Sequence, residues 1–290
     1  MIRARYLAIF LIFPAAAVVF VAMIVPLGYA LGMSLFDYKL GSETSASFIF
    51  LENYVRFLQD PLALKSLGIT LTFTALALSL ELVAGVGMAV LLTSIPEHWS
   101  KILRALYSMP LLISPIIVGL IWRYMYDPTF GLVYYVLSWF GLDSAFGGLE
   151  KPGWALFSIV IADVWETTPF ILIVASAGLA NIPKELYEAA RIDGANALNA
   201  LARITLPLLS KVLLVMIVIR GPDAFRVFDI IYALTGGGPG NSTLSLSIYA
   251  FQKGFDDYQM GYAMAVSIIM MAVLVIALAP LVKKSYVPQQ

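Results

Sequence analysis

Long apolar runs separated by short polar stretches organise this chain. A helix needs about 20 mostly apolar residues to cross a hydrocarbon core about 30 Å thick. Six segments meet that length: residues 7–34, 67–93, 104–126, 155–180, 207–233 and 262–282. The opening run is uncharged from Tyr6 to Phe36, twice the roughly 7–15 residues of a signal-peptide core, and reads as an uncleaved first span. The fifth segment is the least clean, because Arg220, Asp223, Arg226 and Asp229 fall in its outer half. Between spans, residues 35–66 contain "FIFLENYVRFLQDP", with apolar side chains at near-helical spacing, and 127–153 are rich in aromatics and glycine. Both stretches are expected to be structured outer loops. With no linker, low-complexity tract or 20–50-residue repeat, residues 1–290 read as one all-α integral membrane domain.

Composition agrees. The chain is 61% hydrophobic and 12% charged, with mean hydropathy +0.89; soluble domains run at about 45–50% and about 25%. Zero net charge gives no sign of a nucleic-acid partner, and the lack of cysteine excludes disulfides and thiolate metal sites. With the N-terminus placed inside, the inner face carries Arg3, Arg5, Lys101, Arg104, Lys184, Arg191, Arg203, Lys211, Lys283 and Lys284. The outer face then carries Lys39, Arg56, Lys65, Arg123, Lys151 and Lys253. Positive charge favours the cytoplasm, so both termini are expected there. His98 has no second histidine or acidic cluster near it to make a metal site, and no nucleophile–base pair suggests an enzyme.

One inner stretch is polar where its surroundings are not: "ELYEAARIDGANALNALARITLPLL", Glu185 to Leu209. Pro183 and the acidic Glu185 and Glu188 suit a helix start, and Asp193-Gly194 suits its stop. Ala189, Ala190 and Ala195 leave the turn with little side-chain relief. Charge pattern alone favours a helix resting in lipid headgroups; small side chains equally suit insertion into a groove on another protein.

The spacing Glu188-Ala189-Ala190, three residues, Gly194, nine residues, Ile204-x-Leu206-Pro207 resembles the EAA signature of the membrane subunits of binding-protein-dependent ABC importers. Residues 164–195 and "FDIIYALTGGGPGNSTLSLSIYAFQKGF" (228–255) extend the resemblance to the first permease of the carbohydrate-uptake branch. The resemblance implies a type I importer fold of about six spans, with a cytoplasmic coupling helix between spans four and five, in the cytoplasmic membrane of a bacterium or archaeon. It also implies a second, homologous permease, two ATPase subunits that bind ATP and Mg²⁺, and an external sugar-binding protein. The chain itself would need no cofactor. In loop 183–207, Glu188, Ala189, Ala190, Asp193, Gly194 and Ala195 would contact the ATPase.

The chain has no P-loop of its own. "GGGPGNST" (236–243) lacks the Gly-Lys that phosphate binding requires and reads as an outer turn. Ionisable groups inside spans usually face a cavity or a partner. Arg220, Asp223, Arg226 and Asp229 stand three apart with alternating sign, so they are expected to pair along one helix side, with Gly221-Pro222 kinking or breaking that helix. Asp163, Glu166 and Glu81 add buried carboxyls. Trp165, Glu166, Asp223, Arg226, Asp229 and Tyr232 are the candidates for a sugar pathway, through hydroxyl hydrogen bonds and aromatic stacking. Glycerol 3-phosphate or another polyol phosphate is the alternative substrate, and an ion-coupled secondary transporter or an intramembrane enzyme the alternative class.

Overall fold

The computed structural model describes the backbone of residues 2–41, 46–143 and 145–286, and side chains within 12–283. The side chains of Arg3, Arg5 and Lys284 lie outside the described residues. The protein is almost wholly helical. Five helical stretches are long and apolar enough to cross a membrane: Ile12–Met33, Pro61–Thr93, Pro152–Ala180, Ala197–Phe225 and Met260–Lys283. A sixth crossing is completed if Glu97–Leu112 and Pro115–Met125, bent by 98°, count as one. Exposed aliphatics such as Val18 (69%), Val83 (74%) and Ile276 (73%) suit lipid or a neighbouring subunit rather than water.

The chain divides into two compact units. The first comprises residues 1–64 and 249–273. Helix α1 (Ile2–Met33) leads into a two-strand ladder, β1 (Phe36–Asp37) against β2 (Ser47–Phe48), and then α2 (Glu52–Gln59). Buried Asn53 ties them together by donating to the carbonyls of Ser34 (2.8 Å) and Phe36 (3.1 Å). Asp60 accepts from the amides of Leu62 (2.8 Å) and Ala63 (3.3 Å), capping the start of α3 (Pro61–Thr93). The Tyr249 hydroxyl donates to the same carboxylate at 2.5 Å. Burial pushes the Asp60 carboxyl up, but these three donors and Lys253 outweigh it and hold the group below the usual carboxylate value.

The second unit, residues 65–248 and 274–290, carries the rest. After α3 come α4 (Glu97–Ser108), a 3-10 turn over Met109–Leu112, α5 (Pro115–Met125) and α6 (Leu132–Ser138). The bend between α4 and α5 has a local cause. Proline at 110 and 115 removes helical N–H donors, and Ser114 before Pro115 is extended (φ −65°, ψ 139°). Next are α7 (Pro152–Ala180), α8 (Lys184–Ile192), α9 (Ala197–Ala200), a π-helical turn at Leu201–Thr205 and α10 (Leu206–Phe225). Helix α10 runs past Gly221-Pro222 and stops only at Phe225; the break falls at 226–228, before α11 (Asp229–Leu234). The expected break at Gly221-Pro222 is thus displaced about one turn toward the C-terminus. Helices α12 (Leu246–Phe251) and α13 (Met260–Tyr286) follow, of which residues 249–251 and 260–273 belong to the first unit. The core of this unit is a seam of Val86, Ala89, Ile171, Leu172, Ala175, Leu209 and Met216 from α3, α7 and α10. Gly85 makes that seam possible: a Cβ there would lie 2.6 Å from the Ile171 side chain.

Candidate functional site

Two places in the second unit concentrate polar chemistry. The first is the loop between α7 and α10. Helix α8 ends in a hydrogen-bonded reversal, with Ala195 N–H donating to the Ala190 carbonyl (2.8 Å) and Gly194 N–H to that of Arg191 (3.1 Å). Gly194 sits at φ +78°, the left-handed conformation such an end needs. Asn196 then caps α9 by accepting from the Asn199 amide at 2.8 Å. The Tyr187 and Thr205 hydroxyls meet at 2.9 Å and brace α8 against the root of α10. Glu188, Ala189, Asp193 and Gly194 are exposed, Ala190 and Ala195 half-buried. Beside them Ile192 (88% exposed) and Leu198 (74%) are the most exposed large apolar side chains of the loop.

The second place lies among α3, α7 and α10. Arg220 is buried, and its Nε and Nη2 hold Glu81 at 3.1 and 3.0 Å while Nη2 also holds Asp163 at 2.7 Å. Glu81 is wholly buried and Asp163 nearly so. The cluster therefore ties three helices together through one guanidinium. This corrects the expected pairing along α10: only Asp223 and Arg226 pair locally (2.5 Å), at the exposed end, while Arg220 turns to the other helices. An isolated charge at such depth is costly, and the fork geometry of arginine answers two carboxylates at once.

Arg220 and Asp163 also line a cavity of about 570 Å³. Its walls include Glu166, Thr167 and Phe170 of α7, Ile219 and Asp223 of α10, and Arg226, Phe228 and Asp229 at the α10–α11 break. Of the six pathway candidates, Glu166, Asp223, Arg226 and Asp229 line this space. Trp165 and Tyr232 stand outside the lining: Trp165 meets Trp122 edge to face at 6.0 Å, and Tyr232 stacks on Phe228 at 5.2 Å. Sequence reading missed the joint role of Glu81, Asp163 and Arg220. The available signal was one cation and two carboxyls stranded in three apolar runs. No group of three or more His, Cys, Asp or Glu among the described residues has the arrangement of a metal site.

Residues 81–286 match the family model described as "Binding-protein-dependent transport system inner membrane component". The chain belongs to that family. The permease is 40% identical to the trehalose/maltose transport system permease of Thermococcus litoralis over 266 residues, 91% of this chain and 89% of the relative. It is 33% identical to the sulfoquinovosyl glycerol transport system permease of Agrobacterium fabrum, over 92% of this chain and 86% of the other. Its fold matches a subunit of a bacterial ABC transporter that imports the acidic polysaccharide alginate, with TM-score 0.82, 24% identity and coverage of 98% and 96%. The permease is thus a multi-pass membrane subunit of a binding-protein-dependent transport system.

Proposed function

We propose that the permease is one of two transmembrane halves of an ATP-driven carbohydrate importer, and that it opens the sugar pathway without catalysing a reaction. The supporting observation is the joint presence of an exposed, braced inner loop and a polar cavity built on the same helices, α7 and α10. Loop 183–207 is the coupling element. Glu188 and Asp193 offer charge at its rim, while Ala189, Ala190 and Ala195 permit close approach. Gly194 makes the turn, and Ile192 and Leu198 supply apolar anchors. ATP and Mg²⁺ belong to a pair of soluble ATPase subunits docked there, and both termini lie on that cytoplasmic side.

Closure of the ATPases would push α8, and the Tyr187–Thr205 contact would pass the displacement to α10. Because α10 carries Arg220, Asp223 and the cavity wall, its tilt would expose the cavity alternately to the two sides. Glu166, Asp223, Arg226 and Asp229 are the groups that meet sugar hydroxyls; Trp165 and Tyr232 stand outside the lining. Relatives named for trehalose/maltose and sulfoquinovosyl glycerol support a saccharide or glycoside cargo, and an external binding protein would deliver it. Mild-detergent purification from native membranes tests this composition. It should yield a second permease and an ATPase in stoichiometric amounts, and a chain that purifies alone and active would overturn the proposal.

A further inference from the structure

The cavity's charge bears on what passes through it, and the relatives leave that open, being named for trehalose/maltose in one case and for sulfoquinovosyl glycerol, a sulfonated glycoside, in another. Resting on the reading of this cavity as the pathway, we propose that this half of it selects against anionic saccharides, admitting uncharged or cationic ones and rejecting phosphorylated, sulfonated or uronic sugars.

Four carboxyl side chains line the cavity, those of Asp163, Glu166, Asp223 and Asp229, and Glu81 stands directly behind Arg220. Against these five are two guanidinium groups, Arg220 and Arg226. Both are committed. Arg220 spends its Nε and Nη2 donors on Glu81 and Asp163, and Arg226 is answered by Asp223 at 2.5 Å. Even with two of the five carboxyls protonated, the remaining charge does not become positive. An anion entering here would find Arg220 held by two carboxyls, Arg226 paired once through Nη2, and carboxyls outnumbering guanidinium groups.

The carboxyls are differently placed. Glu166 is 94% buried, lines the cavity, and has no hydrogen-bond or ion-pair partner among the described residues. A carboxylate held inside a protein without a donor is costly, and several donors arriving on a ligand relieve that cost. Sugar hydroxyls and ammonium groups supply such donors; a phosphate, sulfonate or carboxylate adds repulsion instead. Asp229, the first residue of α11, also lines the cavity and has no pairing cation among the described residues. Glu166 and Asp229 are therefore the specificity-determining pair, and Arg220 is a structural cation rather than an anion receptor. Under that reading a polyol phosphate, the alternative substrate, would be rejected.

The absence of cysteine from the chain makes the potential directly measurable. Thr167→Cys, and separately Ile219→Cys, would each place one thiol on the cavity wall. The complete complex, with its other subunits made cysteine-free, is treated in proteoliposomes with a cationic (trimethylammonium-ethyl) or an anionic (sulfonato-ethyl) methanethiosulfonate, and rates are normalised to those with free 2-mercaptoethanol. A cleft of one sign raises counter-ion encounter rates about tenfold or more. The normalised cation-to-anion ratio should therefore exceed about ten at both positions, fall in 1 M salt, and approach one in the Glu166→Gln/Asp229→Asn background. A ratio of one or below at either position overturns the charge selection and leaves the pathway standing. Failure of both reagents at both positions, in every nucleotide state, would instead overturn the reading of this cavity as the pathway.

Discussion

At the residue scale the decisive contrast is between two arginines six positions apart. Arg220 is buried between Glu81 and Asp163, whereas the Arg226–Asp223 pair has side chains 66% and 52% exposed. Removing one member of a buried ion cluster strands the others, at about 3–5 kcal/mol; breaking an exposed pair costs about 0–1 kcal/mol. Arg220→Met should therefore lower the thermal stability of the purified complex severely, and Arg226→Ala should leave it within a degree or two. Arg220→Lys should recover only part of the loss, because an ammonium cannot reproduce the fork that holds both carboxylates. Equal melting temperatures for Arg220→Met and Arg226→Ala would contradict this account. The cluster was illegible in the sequence, since its members lie 57 and 139 residues apart and nothing local records which helices meet. Helical spacing instead favoured a ladder of charges along α10, of which only the Asp223–Arg226 step exists.

At the scale of elements, the α8–α9 turn depends on backbone conformation more than on contacts. A Cβ on Gly194 would meet nothing within 4 Å, so any effect of substitution there comes from φ +78°. A β-branched residue pays about 1–2 kcal/mol for that conformation. Gly194→Val is expected to sever ATPase stimulation from transport while the helices in the membrane stay folded, as circular dichroism would report. Glu188→Lys should do the same by reversing charge at the rim. Unchanged stimulated ATPase activity in both variants would remove the loop from the coupling role. This element was readable in advance because its parts are sequential: cap residues, alanines and a glycine stop.

Helix α3 offers a second element-scale test. Asp60 is held below the ordinary carboxylate value by the Tyr249 hydroxyl, the Leu62 and Ala63 amides and Lys253, which outweigh its burial. A lowered folded-state value means stability that is fully present above the unfolded-state value and is lost as pH falls through the folded one. Hydrogen exchange around residues 60–64 and 249 should accordingly rise as pH drops below the carboxylate range. Asp60→Asn keeps a competent cap but removes the charge, so its exchange, corrected for intrinsic rate, should be nearly flat with pH. A wild-type profile as flat as the variant's would refute the linkage.

For the whole molecule, apolar runs of membrane-spanning length announced the all-α membrane fold, because length and hydropathy are local properties. Where helices bend or stop was less legible. Residues 104–126 read as one span, yet the chain turns by 98° around Pro115. In residues 207–233 an interruption was expected at Gly221-Pro222, yet the helix ends at Phe225 and restarts at Asp229. Such breaks depend on what packs beside them, and the break after Phe225 brings Arg226, Phe228 and Asp229 to the cavity wall. The central claim is that motion at the inner loop, driven by ATP, opens that cavity to a saccharide. Uptake of the binding protein's radiolabelled sugar into proteoliposomes, with ATP inside and ion gradients collapsed, tests it most directly. Wild type should accumulate sugar only with ATP and binding protein both present, and Gly194→Val should abolish accumulation. Uptake that persists without ATP, driven by a proton or sodium gradient, would contradict the account.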